Sequence, residues 1–145
     1  MKIVQTRDTM SDIYLDAVQI RHQVFMLEQG VPSEIEIDKY EAMCIHFVLY
    51  GDDNKPIATC RLLPLENDRI KLQRMAVQKE YRGKEYGRII VEKAEEFAKE
   101  QGYKVITLGA QITALGFYER MGYVKEGDMF LDANIEHYQM NKTLQ

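Results

Sequence analysis

Met75-Ala76-Val77-Gln78-Lys79-Glu80-Tyr81-Arg82-Gly83-Lys84-Glu85-Tyr86-Gly87 decides how the rest of the chain is read. A β-prone run ends at Val77 and a glycine-bearing loop follows. A stripe of Ile90, Ala94, Phe97 and Ala98 then runs at helical spacing to a stop at Gly102. A strand, a loop and a helix start in that order aim free backbone N–H groups, and the positive helix end, at one point. A pyrophosphate fits there, with Arg82 and Lys84 adding charge. The segment is not a P-loop, because Gly83-Lys84 is followed by Glu85, and it does not match G-x-G-x-x-G. A helix-capping turn carrying two surface bases explains this segment alone equally well.

On either side, hydrophobic periodicity gives the other elements. Lys2 to Thr6 reads as a strand, and residues 10–25 as a helix with Ile13, Tyr14, Ala17, Val18, Val24 and Phe25 on its apolar face. Gly30-Val31-Pro32-Ser33 breaks it, and an acidic loop carries Glu34, Glu36, Asp38 and Glu41. His46–Tyr50 and Ile57–Leu63 form a hairpin about the turn at Gly51-Asp52-Asp53-Asn54, and Arg69–Val77 is the next strand. After the 86–101 helix come a buried strand, Val105–Ala110, a short helix, Thr113–Met121, and a final pair of strands. The order β-α-β-β-β-α-β-α-β-β predicts an α/β (α+β) fold: one mixed sheet flanked by helices, with a parallel pair where the 86–101 helix crosses over.

The 145 residues suit a single domain, 1–145. A net charge of -4 argues against a nucleic-acid partner. No apolar run reaches membrane-span length, and the first residues lead into no signal-peptide core, so the expected location is cytoplasmic. Cys44 and Cys60 sit in apolar stretches with no histidine at ligand spacing, so they read as reduced core residues and no metal site is expected.

A second segment is Gln111-Ile112-Thr113-Ala114-Leu115-Gly116-Phe117-Tyr118-Glu119-Arg120-Met121-Gly122-Tyr123. Alone, Phe117 and Tyr118 are ordinary core aromatics. The two segments, in this order and separated by a helix and a strand, resemble the GCN5-related N-acetyltransferase (GNAT) family. Its coenzyme A loop reads Arg/Gln-x-x-Gly-x-Gly/Ala, which Arg82-Gly83-Lys84-Glu85-Tyr86-Gly87 matches except at Glu85. Its later Asn-x-x-Ala-x-x-Phe-Tyr-x-x-x-Gly-Phe segment is matched at Ala114, Phe117, Tyr118, Gly122 and Tyr123, with Gln111 replacing Asn. The resemblance implies a centrally splayed sheet and acetyl-CoA as co-substrate. It implies coenzyme contacts from Met75, Ala76, Val77, Arg82, Gly83, Lys84, Glu85, Tyr86, Gly87, Gln111, Ala114 and Phe117. Glu85 removes a permissive glycine and adds a carboxylate near the phosphates.

A narrower likeness is to the YjcF/ElaA-like branch, to which glyphosate N-acetyltransferase is related. It rests on Arg21-x-x-Val24-Phe25-x-x-Glu28-Gln29-x-x-Pro32-x-Glu34-x-Glu36-x-Asp38, on His46, and on Ile135-Glu136-His137-x-x-Met140. Gln111 stands where that relative has an arginine, so its substrate is not carried over.

Acetyl transfer to an amine needs a proton acceptor, a donor for the developing oxyanion and a proton donor for the leaving thiolate. A backbone N–H at Met75–Val77 is the oxyanion candidate, and the resemblance gives Tyr118 the role of acid. His137 is the candidate base, though a lone strand histidine is more often structural. His46 reads as structural and His22 as solvent-facing. Arg21 and Arg74 interrupt apolar faces, Arg74 only if no bulge shifts its strand. Each needs a partner, either an internal carboxylate such as Glu28, Glu36 or Asp38, or an acid group on the substrate. Arg61 raises the same question. The expected activity is acetyl transfer to the primary or secondary amine of a small, acidic molecule. Alternatives are an acyl-CoA sensing module and a peptide or protein N-acetyltransferase; a homodimer is left open.

Overall fold

The computed structural model describes residues 1–144. Seven strands form one sheet in the order β1-β2-β3-β4-β5-β7-β6. They are β1 (Lys2–Thr6), β2 (Ile45–Tyr50), β3 (Pro56–Pro64), β4 (Arg69–Val77), β5 (Val105–Gln111), β6 (Val124–Asp132) and β7 (Ile135–Thr143). The helices are α1 (Asp12–Arg21), α2 (Ser33–Glu36), α3 (Tyr86–Glu100) and α4 (Leu115–Arg120). Among the described residues only β4 and β5 pair in parallel, across the α3 crossover, as the sequence predicts.

Side-chain alternation along β2 shows how the layers are built. Phe47 and Leu49 join the core that includes Ile90, Ala94 and Phe97 of α3, whereas Val48 and Tyr50 join Ala17 and Ile20 of α1. The sheet centre is therefore covered on both faces. Cys44 and Cys60 are buried free thiols, and burial pushes Cys44 up to about 11. No helix among the described residues is long and apolar enough to cross a membrane.

Two departures from the sequence reading shape the cleft. The first helix does not stop at residue 25: α1 passes into a π-helix, His22–Glu28, which carries the chain to Gln29. Wide helical turns of this kind often mark functional sites. The second departure is a β-bulge in β4. Thr59 faces Ala76 while Arg61 faces Gln73, so two steps of β3 meet three of β4. Arg74 takes up the extra residue in the left-handed region, φ 56°. That breaks the Ile70, Leu72, Arg74, Ala76 alternation read from sequence. Pairing between β4 and β5 ends at Leu72 with Leu108, and the two strands separate beyond it.

Candidate active site

Because β5 has left β4 after Leu72, the β5-facing backbone groups of Gln73–Val77 have no strand partner. An open edge of this kind can pair with an amide-bearing chain, as one more strand would. At its end, α3 begins at Tyr86, and Glu85 before it supplies no side-chain cap, which leaves the first-turn N–H groups free to face an anion. Gly87 opens the first turn of α3 next to Phe117 and Val77; a Cβ there would touch Phe117 Cζ at 3.4 Å and Val77 Cγ2 at 3.6 Å, ordinary packing distances. These features fit a pyrophosphate on the helix end and a pantetheine arm along β4.

Glu85 adopts φ 71°, a conformation that favours glycine. Its carboxylate turns to Arg88 at 2.5 Å. Arg82 is engaged more fully than the sequence suggests. Its Nε donates to the Val77 carbonyl at 2.9 Å, and its Nη1 and Nη2 grip the Glu28 carboxylate at 2.9 and 2.8 Å. The side chain thus ties the loop to the end of β4 and to the π-helix.

A cleft of about 870 Å³ runs from this loop to the β6–β7 hairpin. Met75, Ala76, Val77, Arg82, Gly83, Glu85, Tyr86, Gly87, Gln111, Ala114, Phe117, Tyr118, His137 and Arg74 all line it. Two residues assigned from sequence do not: Lys84 and Arg21 lie off the cleft wall.

Tyr118 is 6% exposed, and its hydroxyl makes no hydrogen bond among the described residues. Burial, with a smaller contribution from nearby Cys60, raises its phenol, so it stays a neutral donor at physiological pH. His137 pairs with Gln111 across β5–β7, and its Nδ1 lies 2.6 Å from the Ile135 carbonyl. A carbonyl only accepts, so Nδ1 carries the proton and Nε2 is left as the acceptor. Gln111 donates from Nε2 to Gln29 Oε1 at 2.9 Å, linking the end of β5 to the end of the π-helix.

Arg21 is not a substrate ligand in this structure, which corrects the expectation above. It is 1% exposed and held by the Glu36 carboxylate at 2.9 Å and by Glu41 at 2.8 Å. A guanidinium buried this deeply needs internal carboxylates to offset its desolvation. Arg61, also buried, binds Asp38 at 2.7 Å and Glu41. Arg74 binds Glu36 at 2.8 Å and Asp38 at 3.2 Å, but it reaches the cleft, is partly exposed, and its Nη1 has no hydrogen bond among the described residues. Three arginines and three carboxylates therefore pin the 33–43 segment beneath the cleft. Burial alone would raise the Glu41 carboxyl, yet hydrogen bonds and charge from Arg21, with Tyr14 and Arg61, hold it below the usual carboxylate range. Tyr14, which donates to Glu41 at 2.8 Å, is pushed up to about 12, first by burial and then by that carboxylate.

His46 is wholly buried and donates from Nε2 to the Glu41 carbonyl at 2.8 Å, a structural role as expected. Sequence reasoning did not assign Glu41, Gln29 or Phe130 to the network or the cleft wall. Glu41 left a trace as one carboxylate of an acidic loop and Gln29 as part of the Glu28-Gln29-x-x-Pro32 pattern, whereas Phe130 left none.

A mixed seven-stranded sheet, opened between its parallel strands beside an uncapped helix end, defines an acyltransferase type of fold. The profile of the acetyltransferase (GNAT) domain family matches residues 17–144, and the chain belongs to that family, whose members use acetyl-CoA. It is 40% identical over 128 residues to the uncharacterized N-acetyltransferase YjcF of Bacillus subtilis (strain 168), covering 88% of this chain and 90% of that one. Among solved structures, a candidate N-acetyltransferase from Lactobacillus plantarum superposes with a TM-score of 0.92 at 29% identity, over 99% of this chain and 98% of that one. Escherichia coli ElaA, at 23% identity, shares the fold with a TM-score of 0.87 over 98% and 99%. The YjcF/ElaA-like branch read from sequence is supported on these grounds.

Proposed function

We propose that this protein moves the acetyl group of acetyl-CoA to the primary or secondary amine of a small molecule that also carries an acid group. The observation that carries the reading is the convergence of Tyr118 and His137 on one cleft, beside the open edge of β4. Acetyl-CoA, when bound, supplies the activated acetyl thioester. Met75, Ala76 and Val77 offer backbone groups to its pantetheine arm, and the Gly83–Gly87 turn with the α3 end receives its pyrophosphate. Arg82 acts by holding that turn in place.

His137 Nε2 takes the proton that the attacking amine must lose. A backbone N–H of the β4 edge, rigid before the reaction begins, donates to the oxygen that gains charge. Tyr118 donates to the departing sulfur; its neutral phenol suits that role. The cleft holds amine and thioester together, which replaces a bimolecular encounter by a local one. Arg74 is the remaining cation for an acceptor acid, through its free Nη1. A sensing module would not need an acid and a base in one cleft.

The test is a screen of amino acids, amino sugars, polyamines and aminophosphonates for acetyl-CoA consumption, with the product identified by mass. Acidic amines are expected to lead. His137→Ala should lower kcat and flatten the acidic limb of its pH profile. Arg74→Lys should raise KM for the acceptor, because the charge stays while the planar fork is lost. A polyamine as best acceptor would contradict the acid requirement, and no thermal shift with millimolar acetyl-CoA would remove the reading altogether.

A further inference from the structure

Phe130 is absent from every sequence motif above, yet it occupies a built position. Glu126 faces Gln139 and Phe130 faces His137, so four steps of β6 oppose two of β7. The excess chain turns at Gly127, φ 79°. A bulge of this kind re-aims the side chain that follows it. Phe130 is thereby set directly across from His137, on the face of the sheet that carries Gln111. The two rings stack, with centroids 5.6 Å apart and planes 23° from parallel.

The neighbouring strand makes room for this stack. Gly109 lies on the same face of β5, one alternation from Gln111. A Cβ there would stand 3.1 Å from Phe130 Cζ and 4.0 Å from His137 Cδ2. The missing side chain is a notch in the sheet, and the Phe130 ring fills it. The His137 ring is thus fixed twice: by its Nδ1 bond to Ile135 and by the Phe130 stack. Only its Nε2 remains uncommitted.

Phe130 nevertheless keeps 40% of its surface exposed, and that surface borders the cleft together with Val31, Ile35 and Ile135. A large aromatic left half-exposed inside a cleft is an unused apolar contact.

We infer that Phe130 is both the positioning residue for His137 and the wall that selects an acceptor bearing an apolar group beside its amine. The inference rests on the acetyl-transfer reading and narrows its acceptor class to amino-acid-like molecules with aromatic or branched aliphatic side groups. Polyamines and amino sugars present no such group.

Two readouts test it. The first needs no activity: the ring protons of His137 in the NMR spectrum should sit upfield because of the stacked Phe130 ring. That displacement should vanish in Phe130→Leu, survive in Phe130→Tyr, and shrink in Gly109→Ala, where the new Cβ pushes the ring aside. Shifts identical in wild type and Phe130→Leu would overturn the stack.

The second readout is steady-state kinetics with leucine, phenylalanine, glycine and spermidine as acceptors. Leucine and phenylalanine should be preferred, with KM rising roughly tenfold in Phe130→Ala, while KM for glycine stays put. The kcat should fall roughly tenfold or more and recover in Phe130→Tyr, since misplacing a reacting group by about 1 Å costs up to about 10²-fold. Glycine or spermidine matching leucine, or a kcat indifferent to Phe130→Ala, would overturn the inference. No turnover of any amine by wild type, with the NMR shift intact, would instead refute acetyl transfer and the acceptor role with it, leaving the stack standing.

Discussion

The two ends of the cleft are made of different materials. The end proposed for the coenzyme is built from backbone: an open strand edge, an uncapped helix start and positive φ at Gly83 and Glu85. Beneath the acceptor end, the support is built from side chains: Arg21, Arg61 and Arg74 against Glu36, Asp38 and Glu41. Backbone sites depend on a few adjacent residues with special conformational freedom, and they recognise a group that every family member shares. Side-chain networks draw on residues far apart in sequence and can be retuned singly. The comparison explains why a shared coenzyme and a variable acceptor can be served by one fold.

The difference should be largest in stability. Arg61→Ala takes a buried guanidinium away from Asp38 and Glu41, leaving Asp38 to Arg74 and Glu41 to Arg21, and should cost about 3 kcal/mol in urea unfolding, the low end for breaking a buried pair. Arg82→Ala breaks an ion pair that is 42% and 33% exposed, and its cost should stay below about 1 kcal/mol. Equal losses would erase the distinction between the two ends.

Between the ends lie Tyr118 and His137, the proposed acid and base. Tyr118→Phe should reduce kcat about 10²-fold, the low end for general acid catalysis, while acetyl-CoA binding and unfolding remain close to wild type. Undiminished turnover would take Tyr118 out of the mechanism.

Acid should weaken the acceptor end first. For Asp38, burial is outweighed by hydrogen bonds and charge from Arg61, with Tyr40 and Arg74 adding to them, so its carboxyl, like that of Glu41, lies below the ordinary range. Depressed carboxylates stabilise the fold above their unfolded values, about 4, and that contribution drains as pH falls through the lower folded values. The melting temperature should therefore drop below about pH 4, and drop less steeply in Glu41→Gln, which starts from a lower plateau. A parallel decline in both proteins would show that the network does not govern acid stability.

The smallest effect belongs to Glu85→Gly. The left-handed conformation costs a non-glycine residue about 1–2 kcal/mol, partly offset by the greater freedom glycine has when unfolded. Acetyl-CoA should bind a few-fold more tightly by calorimetry, since a carboxylate beside the phosphates is also removed. Weaker binding would mean that the Glu85–Arg88 pair organises the loop.

The strand, loop and helix start of the proposed coenzyme end were legible in the sequence because their determinants are contiguous. Val77 ending a strand, Gly83 in the loop and the Ile90–Ala98 stripe suffice to place a helix end beside a strand edge. The second segment placed Tyr118 and Gln111 for the same reason. The bulge at Arg74 was invisible, because nothing in Gln73-Arg74-Met75 favours positive φ; the ion pairs to Glu36 and Asp38, 38 and 36 residues away, are what hold that backbone in place. Arg21 was misassigned on the same account: a buried arginine on an apolar helix face fits an internal carboxylate and a ligand equally until Glu41 is seen beside it. Phe130 left no signal, since its position depends on a bulge in its own strand and on a glycine in another.

Backbone amide hydrogen exchange with and without acetyl-CoA tests the central claim most directly. Protection should rise at Gln73–Val77 and Gly83–Gly87, where the open edge and the helix end gain partners, while amides of 33–43 change little. Unchanged exchange at Gln73–Val77 in protein saturated with acetyl-CoA would contradict the assignment of that strand edge as the coenzyme's docking rail.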